Sequence, residues 1–125
     1  MANIHETSAR RFAEILHNRL GESLHAVLLY GSVARGDARS DSDVDLLVIT
    51  NPKSPFDIVG DVAYEVDFAS QFGTFLTPVE FSPEQLRNCI DNGDPFLARV
   101  LEEGAVLYND GILEELHDRI VTPRR

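Results

Sequence analysis

Two aspartates stand one residue apart at the start of an apolar run. In "SDSDVDLLVIT", Asp43 and Asp45 flank Val44, and a segment with strand character follows. Side chains alternate between faces in an extended chain, so both carboxylates are expected on one face, with Cα atoms about 6.6 Å apart. Two negative charges at that separation repel each other unless a cation lies between them. Carboxylate oxygens favour Mg²⁺ or Mn²⁺, so the pair predicts a divalent-metal site.

A glycine–serine pair precedes the aspartates and has the chemistry to bind phosphate. Gly31 and Ser32 directly follow a short apolar run. Glycine lets the backbone approach a phosphate closely, and serine adds a hydroxyl group. The N–H groups of the turn that follows can point at an anion, and Arg35, one turn on, can meet phosphate charge directly. Together the two motifs predict a cradle for a metal-bound triphosphate.

The elements that must position these motifs alternate between helices and strands. The predicted strands cover residues 25–30, 44–50, 74–81 and 105–108. The predicted helices run from a cap at Thr7 or Ser8 to Gly21, from Ser54–Pro55 to Gly73, from the Ser82–Gln85 capping box to Gly93, from Asp94–Pro95 to Gly104, and over residues 112–120. Pro78 makes the third strand an edge or bulged strand, because proline cannot donate to a ladder. These elements predict an α/β (α+β) fold, a small mixed β-sheet with helices packed on it, in a single domain spanning residues 1–125.

Composition narrows the classes of function. The 125-residue chain carries a net charge of −10, which opposes stable binding to nucleic acid. The single cysteine, Cys89, allows no internal disulfide and favours a reducing compartment. No apolar run approaches the roughly 18 residues that a membrane span needs, and no signal-peptide pattern opens the chain. A soluble, cytoplasmic protein without a membrane partner is therefore expected.

The stretch "GSVARGDARSDSDVDLLV" resembles the signature of the polymerase-beta-like nucleotidyltransferase superfamily. It is most similar to the minimal nucleotidyltransferases, or MNT proteins, which are often the antitoxin partners of HEPN-domain toxins. Their motif is Gly-Ser, ten residues, then Asp-x-Asp, and here Val33–Ser42 supplies the ten residues. The resemblance covers about residues 10–108. It implies the nucleotidyltransferase fold and transfer of AMP from ATP to an acceptor hydroxyl, with release of pyrophosphate.

The resemblance also implies roles for individual residues. Gly31 and Ser32 would hold the triphosphate, and Asp43 and Asp45 would hold two Mg²⁺ ions. The family uses a third carboxylate on a later strand, usually aspartate. Glu80 is the only acidic residue in the predicted third strand, so it is the candidate third catalytic and metal-binding residue. The alternative is an outward-facing glutamate on an edge strand.

Three functions follow from these residues. The favoured one is a metal-dependent nucleotidyltransferase that adds AMP to a protein partner, a HEPN-type toxin, and so acts as an antitoxin. The alternative is a catalytically weak or inactive nucleotide-binding module that neutralises its partner by direct binding. Transfer to a small molecule such as an aminoglycoside is less favoured, because the predicted elements leave no second domain to build an acceptor pocket. The acidic charge favours a basic partner.

Overall fold

The protein folds into alternating helices and strands around one sheet. The computed structural model describes residues 3–39, 41–51 and 56–121. Its helices are α1 (Ile4–Leu20), α2 (Gly31–Arg35), α3 (Ile58–Ala69), α4 (Pro83–Asp91), α5 (Pro95–Glu103) and α6 (Ile112–Val121). Its strands are β1 (Leu24–Tyr30), β2 (Val44–Thr50), β3 (Leu76–Phe81) and β4 (Ala105–Asn109). The predicted fold class is confirmed.

The four strands form one mixed sheet in the order β3-β2-β1-β4. Strand β1 pairs antiparallel with β2 and β4, while β2 and β3 run parallel. The prediction that Pro78 lies in an edge strand is confirmed. Pairing of β3 with β2 continues through Pro78 without a register shift, so no bulge forms there.

Helices cover both faces of the sheet and create two apolar cores. On one face, α1 and α3 pack on Val44, Leu46 and Val48 of β2. On the other face, α4, α5 and α6 pack on Leu47 and Ile49. Strand β2 is therefore buried on both sides, which explains its continuous apolar sequence. Within the described part of the chain, no helix is both long and apolar enough to cross a membrane.

Helix α1 begins earlier than its sequence predicts. The Asn3 side chain accepts a hydrogen bond from the His5 N–H at 2.7 Å and caps a helix that starts at Ile4. Ser8 is buried inside that helix, and its hydroxyl lies 3.3 Å from that of Thr74. The expected cap at Thr7 or Ser8 is thus wrong, although the helix ends at Gly21 as predicted.

Helix α3 ends earlier than its sequence predicts. The predicted start at Ser54–Pro55 lies outside the described residues, and Asp57 caps the helix by accepting from the Gly60 N–H at 2.9 Å. The helix stops at Ala69 rather than at Gly73. Gln71 and Phe72 follow with φ of 57° each, a left-handed angle that non-glycine residues rarely adopt.

The later helices follow their capping signals. The capping box of Ser82 and Gln85 starts α4, and the Asp94 side chain caps α5. Leu116 of α6 is fully buried in the core beside α4 and α5. Ile112, one turn earlier on the same helix, is also buried in this core, so the apolar side of α6 closes it.

Candidate active site

Antiparallel pairing of β1 with β2 brings the two sequence motifs together. Tyr30, the last residue of β1, pairs with Asp45 near the start of β2, and Gly31 follows Tyr30 directly. A Cβ atom placed on Gly31 would overlap a carboxylate oxygen of Asp45, and Gly31 has φ of +75°. Both the space and the backbone angle therefore require glycine. The glycine–serine bend lies against the second aspartate.

The Asp45 carboxylate is supported from the neighbouring strand. Thr77 is the partner of Asp45 in the parallel β2–β3 register, and its hydroxyl lies 3.1 Å from Asp45 Oδ1. The same hydroxyl lies 3.2 Å from the Val44 carbonyl oxygen. Asp45 is half-buried, so this hydroxyl fixes a carboxylate that still reaches solvent.

Asp43 lies one residue before β2 and is exposed. The start of β2 is already hydrogen-bonded to the segment that leads into β3, because the Val44 N–H donates to the Phe75 carbonyl at 2.8 Å. Val44 itself is fully buried in the core beneath α1 and α3. Asp45, its neighbour within β2, projects from the opposite face. Both aspartates are therefore accessible to a ligand at the start of β2.

Glu80 does not join the aspartates. It pairs with Val48 in the parallel register, which places it on the face opposite Asp45 and three residues further along the strands. Its carboxylate accepts a hydrogen bond from the Thr50 hydroxyl on that same face. The expectation that Glu80 supplies the third metal ligand is not supported by this geometry. The residue beside Asp45 on β3 is Thr77, a hydroxyl and not a carboxylate.

The donor set suits a metal that arrives with a substrate. Among the residues that the structure describes, no group of three or more histidine, cysteine, aspartate and glutamate side chains could hold a metal ion. Mg²⁺ commonly takes one or two protein carboxylates and completes its shell with water and substrate phosphates. Asp43 and Asp45, beside a bend whose Gly31 lets the backbone lie against the Asp45 carboxylate, fit that mode of binding.

A cavity of about 200 Å³ opens beside the bend, between α2 and α5. Its lining includes Tyr30, Gly31, Arg35, Phe96 and Arg99. The rings of Tyr30 and Phe96 meet edge to face, with centroids 5.6 Å apart. Burial, and then the negative charge of Asp45, raise the pKa of Tyr30, so its hydroxyl stays protonated and able to donate. Arg35 of α2 lines this cavity together with Gly31 of the bend.

Sequence reasoning missed the supporting residues of this site. Thr77 and Phe96 come from β3 and α5, and only the strand register and helix packing bring them near Asp45 and Tyr30. The Asp94 cap predicted that α5 exists, but nothing local indicated which end of the sheet it covers. The one sequence signal of these supporting contacts was Tyr30, an aromatic residue directly before the glycine–serine pair.

Comparison with known proteins decides the family. The family model described as polymerase beta, nucleotidyltransferase, matches residues 12–111. The chain belongs to this family. The nucleotidyltransferase is 30% identical over 103 residues to MJ0604 of Methanocaldococcus jannaschii, covering 82% of this chain and 97% of that relative. It is also 30% identical over 103 residues to MJ1305 of the same organism, covering 78% and 67%. Both relatives carry the provisional name of protein adenylyltransferase.

Solved structures share the fold of this nucleotidyltransferase. A toxin–antitoxin structure with AMP-PNP has a TM-score of 0.60 at 16% identity, covering 90% of this chain and 84% of that chain. The MntA–HepT toxin–antitoxin structure has a TM-score of 0.53 at 14% identity, covering 93% and 84%. A tri-AMPylated Shewanella oneidensis HEPN toxin in complex with its MNT antitoxin has a TM-score of 0.51 at 14% identity, covering 94% and 84%. The predicted nucleotidyltransferase fold is confirmed.

Proposed function

We propose that this nucleotidyltransferase transfers AMP from ATP to a hydroxyl group on a protein partner, with Mg²⁺ as the metal. The observation that carries the proposal is the contact between Gly31 and Asp45, which joins a phosphate-binding bend to a metal-binding carboxylate. The two relatives named as protein adenylyltransferases support a protein acceptor and an adenylyl donor.

Each motif residue has a role in this reaction. Gly31 and Ser32 bind the triphosphate through backbone N–H groups and a hydroxyl, and Arg35 adds positive charge beside them. Asp43 and Asp45 would hold Mg²⁺, as two ions. When bound, Mg²⁺ offsets the negative charge of the phosphates, which the acidic chain would otherwise repel. Thr77 keeps the Asp45 carboxylate oriented toward the bend.

The covalent step exchanges one bond at phosphorus for another. The acceptor oxygen forms a bond to the α-phosphorus of ATP, the bond from that phosphorus to the bridging oxygen of the β-phosphate breaks, and pyrophosphate leaves. The described residues place no third carboxylate beside Asp43 and Asp45. The proton of the acceptor hydroxyl therefore passes to water or to a group of the partner.

A HEPN-type toxin is the partner that we propose, with an antitoxin role for this chain. Structures that share the fold include a complex in which the HEPN toxin is AMPylated and bound to an MNT antitoxin. The net charge of −10 fits a basic partner, since opposite charge accelerates association.

Co-expression with a HEPN-domain protein from the same genome tests the proposal. Intact-mass spectrometry should find AMP added to the partner, and Asp43→Asn with Asp45→Asn should abolish the addition. Asp41→Asn is the matched control, because Asp41 is an exposed carboxylate of the same loop outside the motif. An unmodified partner in the presence of the unaltered chain, ATP and Mg²⁺ would refute transfer to that partner.

Thr77 at the position beside Asp45 favours a second candidate function. A site with two carboxylates is suited to bind a nucleotide without transferring it, and the chain would then neutralise its partner by contact alone. In that case Asp43→Asn with Asp45→Asn leaves protection of toxin-expressing cells intact. Loss of protection in that variant would exclude the binding module.

A further inference from the structure

Four aromatic side chains form a continuous exposed patch where α3 leads into β3. Tyr64, Phe68, Phe72 and Phe75 are 61%, 63%, 43% and 57% exposed. Their rings lie in sequence against one another, with centroids 6.3 Å apart for Tyr64–Phe68, 6.1 Å for Phe68–Phe72 and 6.4 Å for Phe72–Phe75. Contiguous exposed apolar surface of this kind marks sites of protein interaction. We call these four residues the aromatic patch.

The backbone adopts a strained conformation to present this patch. Phe72 has φ of 57°, a left-handed angle that bulky residues rarely adopt, and Gln71 before it has the same angle. The Phe72 N–H donates to the Asp67 carbonyl at 2.7 Å, which holds the turn closed. The turn directs the ring of Phe72 between those of Tyr64, Phe68 and Phe75 instead of into either core.

The aromatic patch reaches the edge of the candidate active site. The backbone carbonyl of Phe75, its last member, accepts a hydrogen bond from the Val44 N–H at 2.8 Å. Val44 lies between Asp43 and Asp45. The Phe75 end of the aromatic patch therefore adjoins the segment that carries both aspartates.

The charge around the aromatic patch specifies the kind of partner. Residues 56–86 carry six acidic side chains, Asp57, Asp61, Glu65, Asp67, Glu80 and Glu84, and no lysine or arginine. One of them, Glu65, is paired with Arg19 of α1 at 2.6 Å, and Asp67 is buried. Asp61 is exposed on α3, within one helical turn of Tyr64. The segment that carries the patch is therefore net acidic, and Asp61 is its exposed carboxylate beside the aromatic rings.

We infer that the aromatic patch docks the protein that receives AMP, through apolar side chains set in a basic surface of that protein. Aromatic rings bury large areas at little cost in side-chain entropy and are enriched among the residues that dominate interface energies. Acidic side chains around them select a basic partner over an acidic one. This inference rests on the proposed transfer function and assigns its acceptor specificity to residues outside the nucleotide site.

Labelling of a host extract with ATP radioactive at the α-phosphate tests the inference. The extract comes from native host cells that lack this chain, and purified chain is added with Mg²⁺. The double variant Phe68→Ser with Phe72→Ser should label the acceptor about tenfold more slowly or worse, as removal of interface anchors does. Asp61→Lys should also slow labelling. Binding of a fluorescent ATP analogue should stay unchanged in these variants.

Val121→Ser is the matched control, since Val121 is an apolar residue of α6 that is 65% exposed and outside the aromatic patch. It should label like the unaltered chain, and thermal unfolding should show that all variants fold. Higher ionic strength should raise the KM for the acceptor in the unaltered chain more than in Asp61→Lys.

The outcomes separate this inference from the function on which it rests. If the unaltered chain labels no protein, transfer is refuted and the docking inference falls with it. If labelling depends on Asp45 but the aromatic variants label at the original rate, transfer stands and the docking inference is wrong. It is also wrong if the aromatic variants slow labelling only through weaker ATP binding, or if they dissociate a dimer of this chain without changing the rate.

Discussion

Replacing Gly31 with alanine tests the contact on which the candidate site depends. Its φ of +75° is a left-handed angle, and adopting such an angle costs a residue with a Cβ about 1–2 kcal/mol. The new methyl group would also overlap the Asp45 carboxylate, whose Cγ lies 3.2 Å from the Cβ position. Asp45 must then turn away and lose its hydrogen bond from Thr77, a further loss of about 1 kcal/mol.

Gly93 provides the comparison that separates the two effects. It has φ of +77° but nothing within 4 Å of its Cβ position, so Gly93→Ala should show the backbone loss alone. Urea unfolding should therefore find Gly31→Ala less stable than Gly93→Ala by about 1 kcal/mol. AMP transfer should fall about 100-fold in Gly31→Ala only, since displacement of a reacting group by an ångström has an effect of that size. Equal stability and full transfer activity in Gly31→Ala would refute the close contact between the bend and Asp45.

Three further substitutions test the site and its surroundings. Thr77→Val removes the hydroxyl that orients Asp45, so the Mg²⁺ concentration that gives half-maximal nucleotide binding should rise about tenfold. Thr50→Val removes a hydroxyl–carboxylate hydrogen bond on the opposite face and should leave that concentration unchanged. Glu80→Gln should leave AMP transfer intact because Glu80 faces Thr50, and a loss as large as that of Asp45→Asn would restore Glu80 as a metal ligand. Burial raises the pKa of Asp67 above 3.8 although hydrogen bonds from Leu76 and Thr74 lower it, so the folded state retains a proton that the unfolded state has released. The free energy of unfolding of the wild type should thus decrease relative to that of Asp67→Asn as pH rises from about 4 through the raised pKa. Urea unfolding of both proteins across that pH range measures the difference. A difference that stays constant with pH would contradict the prediction.

Local signals predicted the elements that carry the site. The glycine–serine pair, the ten-residue spacing and the apolar run after Asp45 are all continuous in sequence, and the bounds of β2 match residues 44–50. The antiparallel hairpin that joins them needs only a short connection, so their meeting also followed from the sequence. The capping box of α4 was equally legible because Ser82 and Gln85 interact within one turn.

Features that depend on distant contacts could not be predicted. Glu80 was chosen as the only acid in its strand, but the parallel register with β2 decides which residue lies beside Asp45, and that residue is Thr77. No local pattern encodes a parallel register, because the two strands are joined by a whole helix. The end of α3 was missed for a related reason. Gln71 and Phe72 adopt angles that sequence rules reserve for glycine.

The hairpin formed by β1, α2 and β2 holds all the residues assigned here to the nucleotide. Its strands pair by local antiparallel hydrogen bonds, and the bend between them sets Gly31 against Asp45. The aromatic patch lies between β2 and the start of β3, and β3 supports Asp45 through Thr77. In the proposed function, reaction and recognition thus occupy separate segments of chain. Over evolutionary time, a lineage that rewrites the crossover can change its protein target while it inherits the same phosphate chemistry.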